Sequence, residues 1–252
     1  MGIYSNSKIA TFENCPYKYK LKYIERLKPK IKGTIESFLG DLVHRALEKL
    51  YRDLKDNKIN KKDELIEYFK NLWKKEFSKE IQITKSNLKE EDYLRLGEKF
   101  ISDYYDRYFP FNQMTIVALE KKEFFNLPDG NKWYIKIDKL GVDEEKNYFI
   151  CDYKTGSSIK TQEEAERDRQ LAMYSLWVKE KFRDAKKIKL VWHLLAFNKD
   201  IISEKNEEQL RFIQREVLEK IKEIENTRIF YPNISNLCAY CEYRDFCPAF
   251  RN

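Results

Sequence analysis

The chain has 252 residues and a mass of 30.6 kDa, of which 42% are hydrophobic and 15% aromatic; it can bury a substantial core as one large or two small domains, which excludes a low-complexity or disordered chain. No apolar run approaches the roughly 18 residues of a membrane span, and the opening MGIYSNSKIATFENC lacks a signal-peptide apolar stretch, so a soluble cytoplasmic protein without a membrane partner is expected. Lys plus Arg (49) exceed Asp plus Glu (42) by seven, which suits an anionic partner such as nucleic acid, although a solvated Lys/Glu-rich surface leaves the same excess.

In chain order, SNSKIATFENCPYKYKLKYIERLKP reads as two short helices broken at Cys15-Pro16, with Ser5 or Ser7 as N-cap. IESFLGDLVHRALEKLYRDL then sets Phe38, Leu39, Leu42, Val43, Ala46, Leu47 and Leu50 at helical spacing, the pattern of an amphipathic helix. Helices are expected at about 62–80 and 90–108, before Pro110. From there the period changes to two. TIVALEKKEFF, KWYIKIDKLGV, NYFICDYK and KIKLVWHLLAF are strand candidates, the first three joined by PDGN and GVDEEKN turns. A helix at about 163–182 separates the third strand from the fourth, and a long amphipathic helix follows at about 204–226. This order predicts an α/β fold of mixed α+β type, a central mixed sheet of four or five strands flanked by helices. Without a linker or repeat, one domain over 1–252 is expected: an N-terminal arm (1–32), a helical region (33–112), a sheet-bearing core (113–200) and a C-terminal helix with cysteines (201–252).

The strand NYFICDYK carries charges in an apolar setting, and alternation sorts them. Trp133, Ile135 and Ile137 point one way and Tyr134, Lys136 and Asp138 the other; Phe149, Cys151 and Tyr153 oppose Ile150, Asp152 and Lys154. A hairpin centred on Glu145 sets Asp138 opposite Asp152, with Lys154 on their face. Two buried aspartates repel unless a cation lies between them, and an all-oxygen site suits Mg²⁺ or Mn²⁺. Lys154 is then placed to orient an attacking water, help deprotonate it or offset charge on a phosphate. An exposed hairpin whose Asp and Lys merely pair across strands gives the same DYK triplet. His44 lies one helical turn after Gly40, whose missing side chain leaves room beside the imidazole, and Gln170 and Tyr174 share one helical face.

Five cysteines without a secretion signal argue against a disulfide framework. Cys238-x2-Cys241-x5-Cys247 gathers three thiols, Cys15 is the best fourth ligand, and Cys151 reads as core. Four thiolates fit a 4Fe–4S cluster or a structural zinc, and spacing alone does not choose between them.

Taken in order, FENCPYKYKLKYI, FLGDLVHRALEKLY, IKIDKL, ICDYKTG, RQLAMY and CAYCEYRDFCP resemble the first-cysteine, histidine, first-aspartate, D-x-K, Q-x3-Y and terminal-cysteine motifs of PD-(D/E)XK nucleases of the RecB type, relatives of which act in CRISPR adaptation. The resemblance runs almost end to end and implies a restriction-endonuclease-like core. It implies a metal held by His44, Asp138, Asp152 and the main-chain carbonyl of Tyr153, with Lys154 as catalytic lysine. It places Gln170 and Tyr174 in the site, and a 4Fe–4S cluster on Cys15, Cys238, Cys241 and Cys247 that joins the N- and C-terminal regions. The implied activity is a Mg²⁺- or Mn²⁺-dependent DNA exonuclease that prefers single-stranded DNA, serving repair, recombination or CRISPR adaptation beside a helicase or adaptation proteins; a non-catalytic DNA-binding scaffold with the same fold and cluster is the alternative. Lys136 and Lys139 stand where the family usually has glycine and arginine, so clearance beside Asp138 depends on where those lysines point.

Overall fold

A computed structural model describes residues 1–29, 33–83, 85, 87–158 and 161–250. A short strand β1 (Ile3–Tyr4) leads into helix α1 (Asn6–Asn14), capped by Ser5, whose hydroxyl accepts from the Lys8 amide at 3.2 Å. Cys15 breaks the chain direction, and Pro16 opens the short helix α2 (Pro16–Tyr19), which runs on as a π-turn over Lys20–Ile24. The two helices and their break follow the sequence pattern; the arm boundary drawn at residue 32 lies outside the described residues.

After strand β2 (Gly33–Thr34) comes helix α3 (Ile35–Lys55), capped by Thr34, with Glu36 in its first turn and Arg52 and Lys55 in its last, matched to the helix dipole. Helices α4 (Lys62–Glu76) and α5 (Glu90–Tyr108) pack on it, and β2 pairs in parallel with strand β3 (Ile81–Gln82) between them. The expected helix at 62–80 stops at Glu76 because the chain turns extended at Phe77, whose ring stacks on Trp73 at 5.9 Å and 8°.

Strands β4 (Thr115–Asn126), β5 (Lys132–Val142) and β6 (Asn147–Lys154) form the expected meander, and β5 meets β6 in the register Lys139–Cys151, Leu140–Ile150, the one centred on Glu145. The helix expected at 163–182 is two: α6 (Gln162–Glu166) and α7 (Arg169–Lys181). Asp168 separates them, because its carboxylate accepts from the Leu171 amide at 3.0 Å and so starts a new helix. Strand β7 (Lys187–Leu194) lies parallel to β6; it ends in a tight turn over Leu195–Phe197, and Asn198 at φ 46° reverses the chain into β8 (Lys199–Glu204), antiparallel to β7. KDIISE, half of it charged, gave no strand signal, so the last helix, α8 (Glu207–Asn226), begins three residues later than expected. The main sheet therefore has six strands rather than four or five, in the order β1-β5-β6-β7-β8 with β4 on β5.

This sheet separates two apolar cores. Trp133, Ile135, Ile137 and Leu140 of β5 pack with Ile150 of β6 against α1, α7 and α8; Tyr153 joins the buried faces of α3, α4 and α5 on the other side. Burial of each such side chain contributes about 1.5–3 kcal/mol. Simple alternation fails twice. Ile137 and Leu140, three residues apart, share a core, so β5 changes phase at Asp138 and Lys139. On β4, Glu120 opposite Asp138 has φ 45°, a conformation that strand residues avoid. Phe149, expected in the core, is half-buried under the Lys189 ammonium, 5.0 Å from its ring centroid.

Candidate metal centre

The β5–β6 ladder ends at Lys139–Cys151, and one step beyond it stand Asp138 and Asp152, 7% and 4% exposed. The Tyr153 amide, freed from the ladder, donates to Asp138 Oδ2 at 2.9 Å. From α3, His44 reaches the same point. Its Nε2 lies 2.9 Å from the Tyr153 carbonyl, which can only accept, so Nε2 carries hydrogen and Nδ1 faces Asp138 Oδ2 at 3.5 Å and Glu120 Oε1 at 3.9 Å. The Tyr153 carbonyl, expected as a ligand, is thus engaged by His44 in this structure. Ligand atoms of His44, Glu120 and Asp138 all lie within 4.8 Å of one another.

Glu120 is the residue that sequence reasoning missed. Its signals were the β4–β5 register, which sets it opposite Asp138, and its place among strand residues of unremarkable charge; the left-handed backbone that turns it into the site is a product of the fold.

The carboxylates are unequal. Burial opposes charge on Asp138, but hydrogen bonds from His44 and the Tyr153 amide, with the Lys154 charge, outweigh it and hold this carboxyl below its usual range. At Asp152 burial wins, aided by the Asp138 charge, so its carboxyl lies above the usual range despite Lys154. Burial likewise lowers His44, and the hydrogen bond and charge of Asp138, with Asp152 and Glu120, more than restore it. Lys154 Nζ meets Asp152 Oδ2 at 2.7 Å and stands 4.5 Å from the Trp192 ring centroid; burial disfavours its charge, but Asp152 and Asp138 keep it protonated.

Gln170 and Tyr174 bridge the fork between the strands. Gln170 Nε2 donates to Asp152 Oδ1 at 2.8 Å and to the Tyr174 hydroxyl at 3.3 Å, and that hydroxyl accepts from the Lys136 amide at 3.4 Å. One end holds β6 and the other β5, so the pair fixes how far the two aspartates stand apart. The space at Gly40 serves a different neighbour from the one expected: an added Cβ would lie 3.1 Å from Thr155 Oγ1, just after Lys154.

The two lysines beside Asp138 part company. Lys136 Nζ pairs with Glu120 Oε2 at 2.6 Å. Lys139, 1% exposed, turns into the core under α3 and α5, where its ammonium donates to the hydroxyls of Tyr51 (3.1 Å) and Tyr104 (2.9 Å) and lies 4.2 Å from the Tyr51 ring centroid. It leaves the aspartate face clear.

Far from this fork, Cys15, Cys238, Cys241 and Cys247 line one cavity between the start of α2 and two short turns at the C-terminal end (Asn236–Tyr240 and Arg244–Phe246). Main-chain amides of Lys18 and Asn233 donate to Cys15 Sγ, and that of Ser235 to Cys238 Sγ, each at 3.4 Å. Burial raises the Cys241 thiol. Cys151 lies apart, 1% exposed, its thiol pushed up to about 11 by burial.

A family model described as the PD-(D/E)XK nuclease superfamily matches residues 4–248. The chain is 28% identical over 188 residues to an ATP-dependent helicase/deoxyribonuclease subunit of Carboxydothermus hydrogenoformans, a match covering 61% of this chain and 16% of that protein. It is 24% identical over 181 residues to the subunit of the same name from Clostridium perfringens, covering 61% and 15%. The match thus spans about a sixth of those relatives. A crystal structure of a candidate exonuclease from Eubacterium rectale superposes with a TM-score of 0.56 at 15% identity, over 98% of this chain and 88% of that one, a likeness of fold. Among the described residues no helix is long and apolar enough to cross a membrane.

Proposed function

We propose that this chain, which belongs to the PD-(D/E)XK nuclease superfamily, is a divalent-metal-dependent deoxyribonuclease, an exonuclease that hydrolyses phosphodiester bonds at single-stranded DNA ends. The carrying observation is the convergence of His44, Glu120, Asp138, Asp152 and Lys154 at the open fork of β5 and β6.

The donor set fits a hard divalent ion such as Mg²⁺ or Mn²⁺: three carboxylates and one imidazole. Asp152 Oδ2 is buried against the Lys154 ammonium at 2.7 Å, and a divalent ion here would share that oxygen with Lys154. His44, Asp138 and Asp152 would hold the metal, with Glu120 and the Tyr153 carbonyl at its border. When bound, such a metal supplies Lewis-acid activation of a phosphoryl oxygen and of a water.

The remaining work falls to the protein's own groups. Lys154, held protonated beside Asp152, donates to the attacking water or to charge developing on the phosphate. Gln170 and Tyr174 set the spacing of the strands that carry the two aspartates. Burial of both aspartates strengthens their attraction for a cation.

The four cysteines are proposed to hold a 4Fe–4S cluster. Their sulfurs line one cavity that joins the start of α2 to the C-terminal turns. Main-chain amides directed at two of the sulfurs supply the hydrogen bonds that thiolate ligands of such a cluster take. Such a cluster would tie the N-terminal arm to the C-terminal end. The relatives' names place a nuclease subunit of this kind with a helicase, and a helicase or a recombination or CRISPR-adaptation protein is the proposed partner.

The test is digestion of end-labelled single- and double-stranded DNA with Mg²⁺ or Mn²⁺ by the wild type and Asp152→Ala. Loss of digestion in the variant is expected. Equal digestion overturns the catalytic assignment, and inactivity of both proteins with DNA binding retained selects the scaffold reading.

A further inference from the structure

Strands β4 and β5 carry a graded ladder that leads away from the metal centre. Their register pairs Phe124 with Tyr134 and Lys122 with Lys136, and its continuation sets Glu120 opposite Asp138. Side chains two apart on a strand share a face, so the lysine and aromatic pairs follow one another at about 7 Å, and the Lys136 Nζ–Glu120 Oε2 pair at 2.6 Å ties them to the carboxylates. The Phe124 and Tyr134 rings lie 5.2 Å apart between centroids, tilted by 50°. Phe124 is 47% exposed, and Lys122 is exposed beside it. Beyond the rings the surface opens into a groove lined by Tyr4, Lys8, Lys22, Tyr23 and Arg26. The Lys8 ammonium stands 4.4 Å from the Tyr4 ring centroid, and burial, with the nearby Arg26 charge, pushes it below its usual pKa against the pull of Glu225.

A cross-strand aromatic pair stabilises a hairpin modestly, which leaves unexplained why this pair lies open beside lysines on the face that ends at the metal centre. A lipid or an apolar protein surface would have to desolvate those cations. A polyanion with exposed flat bases matches both features, because base–aromatic stacking and phosphate–cation contact are how single strands are held. A duplex hides its base faces in the stack.

We infer that this face is the track of a single DNA strand entering the site: a base stacks on Phe124 and Tyr134, Lys122 and Lys136 take backbone phosphates between it and the scissile one, and the groove beyond receives the nucleotides that follow. The four steps from Tyr134 to Asp138 cover about 13 Å, on the order of two to four nucleotides. The inference rests on the proposed deoxyribonuclease and names how that site takes its substrate.

The experiment is fluorescence-anisotropy binding of a labelled single-stranded oligonucleotide, without divalent metal, across a salt series. Phe124→Ala/Tyr134→Ala is expected to weaken binding on the order of five- to a hundredfold. Lys122→Gln is expected to lower the slope of log K against log salt by about 0.7, one phosphate contact. Photocrosslinking of 5-iododeoxyuridine oligonucleotides to the wild-type chain, mapped by mass spectrometry, reads the contact without any substitution and is expected to label Phe124 or Tyr134. If the wild type binds and digests single strands while both variants bind equally well and crosslinks map elsewhere, the track is overturned and the nuclease stands. If the wild type neither binds nor digests single strands, the deoxyribonuclease reading falls and the track with it.

Discussion

The two histidines of this chain are shifted in opposite directions, and His193 gives the sharper prediction. It sits on β7, 2% exposed, with Nδ1 2.8 Å from Asp200 Oδ1, and its Nε2 has no hydrogen-bond partner among the described residues. Burial, helped by the charges of Lys139 and Arg107, outweighs Asp200 and pushes the imidazole down to about 4. The folded state therefore keeps it neutral, while the unfolded chain protonates near pH 6.5. Its contribution is present above pH 6.5 and is lost as pH falls from there to about 4, roughly 1.4 kcal/mol per unit and about 3 kcal/mol in all. His44, raised in the folded state, has the opposite sign: its contribution is complete below pH 6.5 and is lost only as pH rises through its folded value, so it adds little slope in this window. Asp152, also raised, does gain stability as pH falls, so a control is needed. Urea unfolding of wild type and His193→Asn from pH 7 to 4 isolates the effect: the difference between the two stability curves should shrink by about 3 kcal/mol toward pH 4. A difference independent of pH would refute a neutral, buried His193.

Asp152→Asn leaves the buried Lys154 ammonium without its 2.7 Å carboxylate partner, so urea stability should fall by about 1–3 kcal/mol, while metal-dependent digestion falls to background. Lys154→Met should lower the digestion rate about 10²–10³-fold, the scale of losing one preorganised donor, with single-strand binding largely kept; unchanged turnover would remove Lys154 from the mechanism. Gly97→Ala should destabilise by about 1–3 kcal/mol, because the new Cβ would lie 2.2 Å from Phe69 Cζ and 2.8 Å from Leu39 Cδ1, a clash larger than the roughly 1 kcal/mol gained in helix propensity. Protein purified without oxygen should be brown, absorb near 400 nm and carry four irons per chain, and Cys241→Ser should lose colour and folded yield together; stoichiometric zinc in a colourless protein would refute the cluster.

The motifs legible in the sequence were those whose logic is local. Ser5 caps α1, Pro16 opens α2, the period of residues 38–50 makes α3, and the hairpin centred on Glu145 sets the β5–β6 register. That register alone carried Asp138, Asp152 and Lys154 toward one point. Where local signals were weak, the reading failed: β1 is two residues long, β8 is half charged, and the break at Asp168 is a single capping carboxylate inside an otherwise helical run. Where Lys139 points was open in the sequence, because the phase change of β5 that turns it into the tyrosine cage under α3 and α5 is a tertiary feature.

Residue order thus placed each candidate group on its strand or helix, since periods of two and 3.6 residues are short-range properties of the backbone. The meeting of those elements is a long-range matter. Glu120 enters the site through a left-handed residue in β4, Gln170 and Tyr174 hold open a fork that no strand period encodes, and Cys15 reaches a cavity more than two hundred residues away from its partners along the chain. Each is set by packing of the two cores across one twisted sheet, which alone fixes where distant side chains come to rest.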